Sequence, residues 1–178
     1  MLKSLALFVL ILCTTLVVTQ SQVIKPNSAQ TIHNTCLETP YYEQCMKYLT
    51  ADPKSSTADV YGLALIMVNV MKDKANIGLN KINQLIATSP SDQKVALNSC
   101  AEKYNAIIAT DVPQATKGLQ NKNPKLAEDS AVHASDAVVA CWKGLPGNSP
   151  LIAENLVMRD ASTITSHICR QLVLSGGI

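Results

Sequence analysis

Residues 57–88 contain no proline, and their apolar side chains recur at alternating intervals of three and four. Val60, Ala64, Met67, Met71, Ala75, Gly78, Ile82 and Leu85 fall on one stripe, with Asn69, Lys72, Asp73, Asn76, Asn80 and Asn83 opposite. At about 100° per residue this pattern is an amphipathic helix; a strand has a period of two and cannot satisfy it. A helix of this length needs partners of similar length to cover its apolar face, so the rest of the chain must supply them.

Proline and glycine divide the remainder into segments of the right size. After Pro90, Ser91 or Asp92 is predicted to cap a second helix with Leu97, Ala101, Tyr104, Ile108, Val112, Ala115 and Leu119 inside, and Pro113 predicts a kink in it. A third helix over 124–143 is expected to bury Ala127, Ala131, Ala134, Val138 and Cys141. Ser149 and Pro150 open a fourth, with Ala153, Val157, Ala161, Ile164, Ile168 and Leu172 as its stripe. Upstream, Pro40 separates two short helical stretches, 28–38 and 41–50. The expected fold is all-α: an antiparallel up-down-up-down four-helix bundle over 57–174, preceded by a disulfide-closed N-terminal helical hairpin over 28–50, in one domain spanning 22–178.

Met1–Gln20 reads as a secretory leader, with Lys3, an apolar run from Leu5 to Val18 and small or polar residues at Thr19–Ser21. The run is shorter than the ~20 residues that cross a bilayer, and no basic cluster follows it, so residues 1–21 are expected to be removed and no membrane contact to remain. Five cysteines are left in an oxidising compartment, predicting two disulfides and one spare thiol. Cys36 and Cys45 flank the hairpin turn. Cys100 and Cys141 lie on helices whose small residues permit close approach, leaving Cys169 free. On the chain-entropy view the two bridges contribute about 2.7 and about 3.9 kcal/mol.

The chain has 178 residues, of which 47% are apolar and 16% charged, which excludes a disordered polyelectrolyte. Its formal charge of +2 falls by one when Lys3 leaves, so nucleic acid is not an expected partner. There is no GxSxG, HExxH, Walker loop or dinucleotide fingerprint, and no metal-ligand spacing, so no enzyme activity, metal or cofactor is expected. Glu128, Asp129 and Asp136 read as a solvated helix face. Asp129 stands one turn before His133 and is expected to pair with it, raising the histidine pKa. Cys169 reads as a buried, inert thiol and Met67 and Met71 as core. Nothing specifies an oligomer. These features describe a stapled helical bundle that acts by binding.

The Cys36-x8-Cys45 hairpin, the Cys100 and Cys141 pair and the helices around them resemble the plant invertase and pectin methylesterase inhibitor family, from about Asn27 to Leu174. Asn123-Pro124-Lys125-Leu126-Ala127-Glu128-Asp129 resembles the Pro-Lys-Phe segment and following Ala-Glu-Asp of the invertase-inhibitor branch, with Leu126 in place of the ring. The resemblance implies a secreted inhibitor of acid invertase in the cell wall or vacuole. Its loop at the start of the third bundle helix would enter the sucrose cleft, with Pro124, Lys125, Leu126, Glu128 and Asp129 as contacts. It equally allows a pectin methylesterase inhibitor. A plainer reading is that Pro124 starts a helix and Lys125 is solvated, in a bundle that inhibits nothing.

Overall fold

The structure, a computed structural model, describes residues 28–176; the leader, residues 1–21, lies outside the described residues. Helix α1 spans Ser28–Leu37 and α2 Tyr42–Ala51, followed by a 3-10 turn at Pro53–Ser56. The long helix α3 spans Val60–Thr88 and α4 Ser91–Ala106. A π-helical turn at Ile107–Asp111 leads into α5, Val112–Gln120; α6 is Pro124–Lys143 and α7 Ile152–Leu174.

Helix α3 starts where the Asp59 carboxylate accepts the Gly62 N–H at 2.8 Å, satisfying one of the donors a helix start leaves open. The stripe read from the sequence is its buried face: Ala64, Met67, Met71, Ala75 and Ile82 have no exposed surface. Gly78 lies on that face because the Tyr104 ring occupies the space where a Cβ would stand. The Tyr104 hydroxyl then donates to Asn155 Oδ1 of α7 at 2.8 Å, joining three helices at one point. Burial, and then the charge of Glu154, push the Tyr104 phenol well above its ordinary pKa.

Two local expectations are corrected and a third takes a particular form. Neither Ser91 nor Asp92 caps α4: Pro90 occupies the cap position in extended conformation, and Ser91 is already helical. The bend expected at Pro113 takes the form of the π turn. Proline has no N–H and crowds the carbonyl four residues back; a looser turn, closed by Val112 N–H to Ile107 O, accommodates it. The extra residue turns Ile107 and Asp111 inward and leaves Ile108 half-buried. In α7, Ala153 and Val157 face outward, because Leu151 and Asn155 set the register. The polar Asn155 takes a core position that an apolar stripe does not reveal.

Helix α3 packs on α4, α5 and α7, and α6 packs on α5 and α7, closing a ring of four antiparallel neighbours. The hairpin α1–α2 lies against α3, and Gln171 of α7 donates to Thr35 O of α1 at 2.9 Å. The α6–α7 seam is the most extensive interface. Ala127, Ala131 and Ala134 are fully buried on α6. The buried hydroxyls of Ser130, Ser162 and Thr165 bond carbonyls four residues back in their own helices, at 2.8, 3.0 and 2.8 Å. Burying them therefore leaves no polar atom stranded, and small residues let the two backbones come close. Disulfides join Cys36 to Cys45 and Cys100 to Cys141, with Cα separations of 5.6 and 4.8 Å; Cys169 is unpaired and buried.

Candidate functional site

The turn between α5 and α6 is built from backbone hydrogen bonds. Lys122 N–H donates to Leu119 O at 3.2 Å and Asn123 N–H to Gly118 O at 2.8 Å, the two bonds of a Schellman ending. That ending needs a left-handed residue, and Lys122 supplies it with φ of 56°. Gly118 lets the chain double back: a Cβ there would stand 2.9 Å from Asn123 O and 3.0 Å from Ala127 N. The Asn123 side chain then accepts the Leu126 N–H at 3.2 Å and Pro124 occupies the first turn, so α6 begins at once. A C-cap, an N-cap and a proline within seven residues hold this loop in one conformation.

The expected contact residues lie on the first turns of α6, in unlike environments. Lys125 is exposed, with 59% of its side chain accessible. It is not simply solvated: its ammonium donates to Asp129 Oδ1 at 2.6 Å and to Glu128 Oε2 at 3.2 Å. Those bonds, Asp129 first, raise its pKa. Pro124 and Leu126 are half-buried, and Leu126 packs toward Gly118. Glu128 corrects the solvated-face reading. It is buried at the α6–α7 seam, and its second oxygen meets Arg170 Nε of α7 at 3.6 Å. Asp129 remains exposed.

The expected Asp129–His133 pair does not form. Asp129 is held by Lys125, and His133 Nδ1 instead meets Asp111 Oδ1 at 2.8 Å, across from α6 to the π turn. Asp111 is buried, and its Oδ2 has no partner. Burial raises the Asp111 pKa, and the His133 contact works against that rise. Lys122, Arg170 and Asp111 were not singled out from the sequence. A left-handed lysine has no linear signature, and the other two meet partners 42 and 22 residues away. The Lys122 ammonium lies over the Tyr61 ring of α3, 3.7 Å from its centroid.

The loop presents Lys122 and Lys125 on a backbone held by caps at both ends, and no group of three potential metal ligands occurs among the described residues. The fold is a disulfide-stapled helical bundle whose α5–α6 turn carries Lys122 beside Lys125 of α6. The sequence profile described as plant invertase/pectin methylesterase inhibitor matches residues 30–172, and the chain belongs to that family. It is 37% identical over 137 residues to the cell wall / vacuolar inhibitor of fructosidase 1 of Arabidopsis thaliana, across 77% of this chain and 66% of that protein. With inhibitor of fructosidase 2 of the same plant it shares 33% over 137 residues, 75% of this chain and 76% of the relative. Among solved structures, mutant form A of a pectin methylesterase inhibitor from Arabidopsis superposes with a TM-score of 0.67 at 19% identity. That match covers 76% of this chain and 92% of the other, and it establishes the bundle fold.

Proposed function

We propose that this chain is a secreted inhibitor of plant acid invertase, a β-fructofuranosidase, and that it covers the sucrose cleft with the α5–α6 loop and the first turn of α6. The observation that carries the reading is the locked Asn123–Leu126 segment with Lys125 exposed at its tip. Two relatives named as fructosidase inhibitors, each aligned over about three quarters of the chain, support it. Residues 1–21 act as the leader that takes residues 22–178, one inhibitor domain, to the cell wall or the vacuole.

Retaining glycosidases hold two carboxylates about 5 Å apart, so their cleft is a negative well. Lys125 offers that well a compact cation. In the free protein its ammonium rests on Asp129 and Glu128; on docking it exchanges these for the enzyme's acids. Pro124 and the two caps keep the ordering cost of the loop small, because the loop is ordered beforehand. Leu126 presents its exposed edge to the apolar rim, and Glu128 steadies the turn from behind through Arg170.

Parallel inhibition assays with an acid invertase and a pectin methylesterase test the reading. Invertase is expected to be inhibited in competition with sucrose. Lys125→Glu should inhibit about a hundredfold more weakly, with a small fall in melting temperature because it sets a third acid beside Glu128 and Asp129, while Leu126→Phe should hold or tighten inhibition. Inhibition by Lys125→Glu equal to the parent's, or inhibition of the esterase alone, would overturn it.

A further inference from the structure

Lys125 is not the one cation at this tip, since Lys122 lies three residues before it. Around Lys125 the charges cancel: two ammonium or guanidinium groups, Lys125 and Arg170, share two carboxylates, Glu128 and Asp129. Lys122, three residues earlier, forms no ion pair among the described residues. Its ammonium is held over the Tyr61 ring, a neutral platform that fixes the charge in place without cancelling it.

The backbone points the same way. Lys122 is the one non-glycine residue with positive φ among the described residues. Left-handed backbone crowds a Cβ, so glycine is the usual occupant of this position in a helix ending, and asparagine the next. Here lysine occupies it although asparagines stand on both sides, at 121 and 123. For turning the chain alone, lysine is a poor residue; its side chain is what the position has gained. A strained residue beside a binding loop is a reason to look for a role there.

We infer that Lys122, braced on Tyr61, is the steering cation of the docking surface: it draws the tip toward the carboxylates of an acidic enzyme cleft, and Lys125 then makes the short-range contact. This rests on the invertase reading and divides its work between two lysines. A charge at the rim of an interface acts mainly on the association rate and its salt dependence, whereas a buried contact acts on dissociation.

The two roles separate in binding kinetics of the full mature chain on immobilised acid invertase at ~20 and ~200 mM salt, where screening differs strongly. Lys122→Gly removes charge and strain together. It should associate about 3- to 10-fold more slowly than the parent at low salt, with a flattened salt dependence and a similar dissociation rate. Its melting temperature should be equal or higher, which a purely structural lysine does not allow. Lys122→Arg, which keeps the charge and the ring contact, should restore fast association. Lys125→Glu serves as the control for the reading itself and should dissociate faster. If Lys125→Glu is impaired while Lys122→Gly associates like the parent at both salts, the steering role is wrong and the invertase reading stands. Slow association of Lys122→Gly accompanied by a lower melting temperature and no recovery in Lys122→Arg overturns it too, since the loop would then have been disrupted. A parent that does not bind invertase removes both.

Discussion

At the scale of single residues, two side chains are placed by partners far along the chain. Tyr104 lies in the gap left by Gly78 and bonds Asn155. Gly78→Ala forces a methyl into that ring, and overpacking of this kind costs about 2 kcal/mol, or roughly 4–8 °C in melting temperature for a domain of this size. Thermal unfolding checks it; an unchanged melting temperature would show that the ring can move aside. Asp111 supplies a pH prediction. Its folded pKa is raised, so its contribution to stability is fully present below the unfolded value of about 3.9 and is lost as pH rises through the folded value. The parent should therefore lose stability relative to Asp111→Asn between acid and neutral pH. Parallel melting curves across that range test the sign. Both placements were illegible beforehand: the stripe marks Gly78 and Tyr104 as inward, but which ring fills which gap depends on how two helices cross.

Among the elements, the α5–α6 turn is where backbone chemistry shapes the proposed contact loop. Gly118 permits Asn123 and Ala127 to come within contact distance. Gly118→Ala improves helix propensity by about 1 kcal/mol, yet its methyl meets backbone that cannot yield without opening the turn. A net loss of about 1 kcal/mol is expected, together with weaker invertase inhibition than Lys122→Gly shows, because the whole loop is displaced. Equal inhibition by the alanine variant and the parent would mean that the loop tolerates the shift. The proline of the Asn-Pro-Lys-Leu segment foretold the start of α6, since its missing N–H is harmless there. The segment does not disclose that Lys125 is already held by two acids, nor that Glu128 turns inward. An i,i+3 or i,i+4 pair is visible in a sequence, but whether its acid lies under a neighbouring helix is not.

Across the whole molecule, Cys169 reports on cooperativity. It is fully buried beneath the α6–α7 seam, and burial, aided by the negative charge of Glu128, pushes its thiol up to about 12. A thiol reagent should thus label it only through global opening, so the denaturant dependence of labelling should follow that of helix loss. Rapid labelling of the native protein would show that α7 opens by itself. The two bridges join helices already in contact, one within the hairpin α1–α2 and one between α4 and α6 of the ring.

The helical periods, the prolines and the cysteine positions determined the all-α class, the number of long helices and the turn at which α6 begins, because these properties depend on residues within a few positions of one another. Tertiary structure alone decided that Asn155 belongs in the core, that His133 meets Asp111 and not Asp129, and that Ile107 replaces Ile108 inside. It also decided the charges at the tip, where Lys122 stands on Tyr61 and Lys125 is held by acids. Each of these depends on the register between helices. A single extra residue in the π turn rotates one helix face, and with it every partner that face can reach.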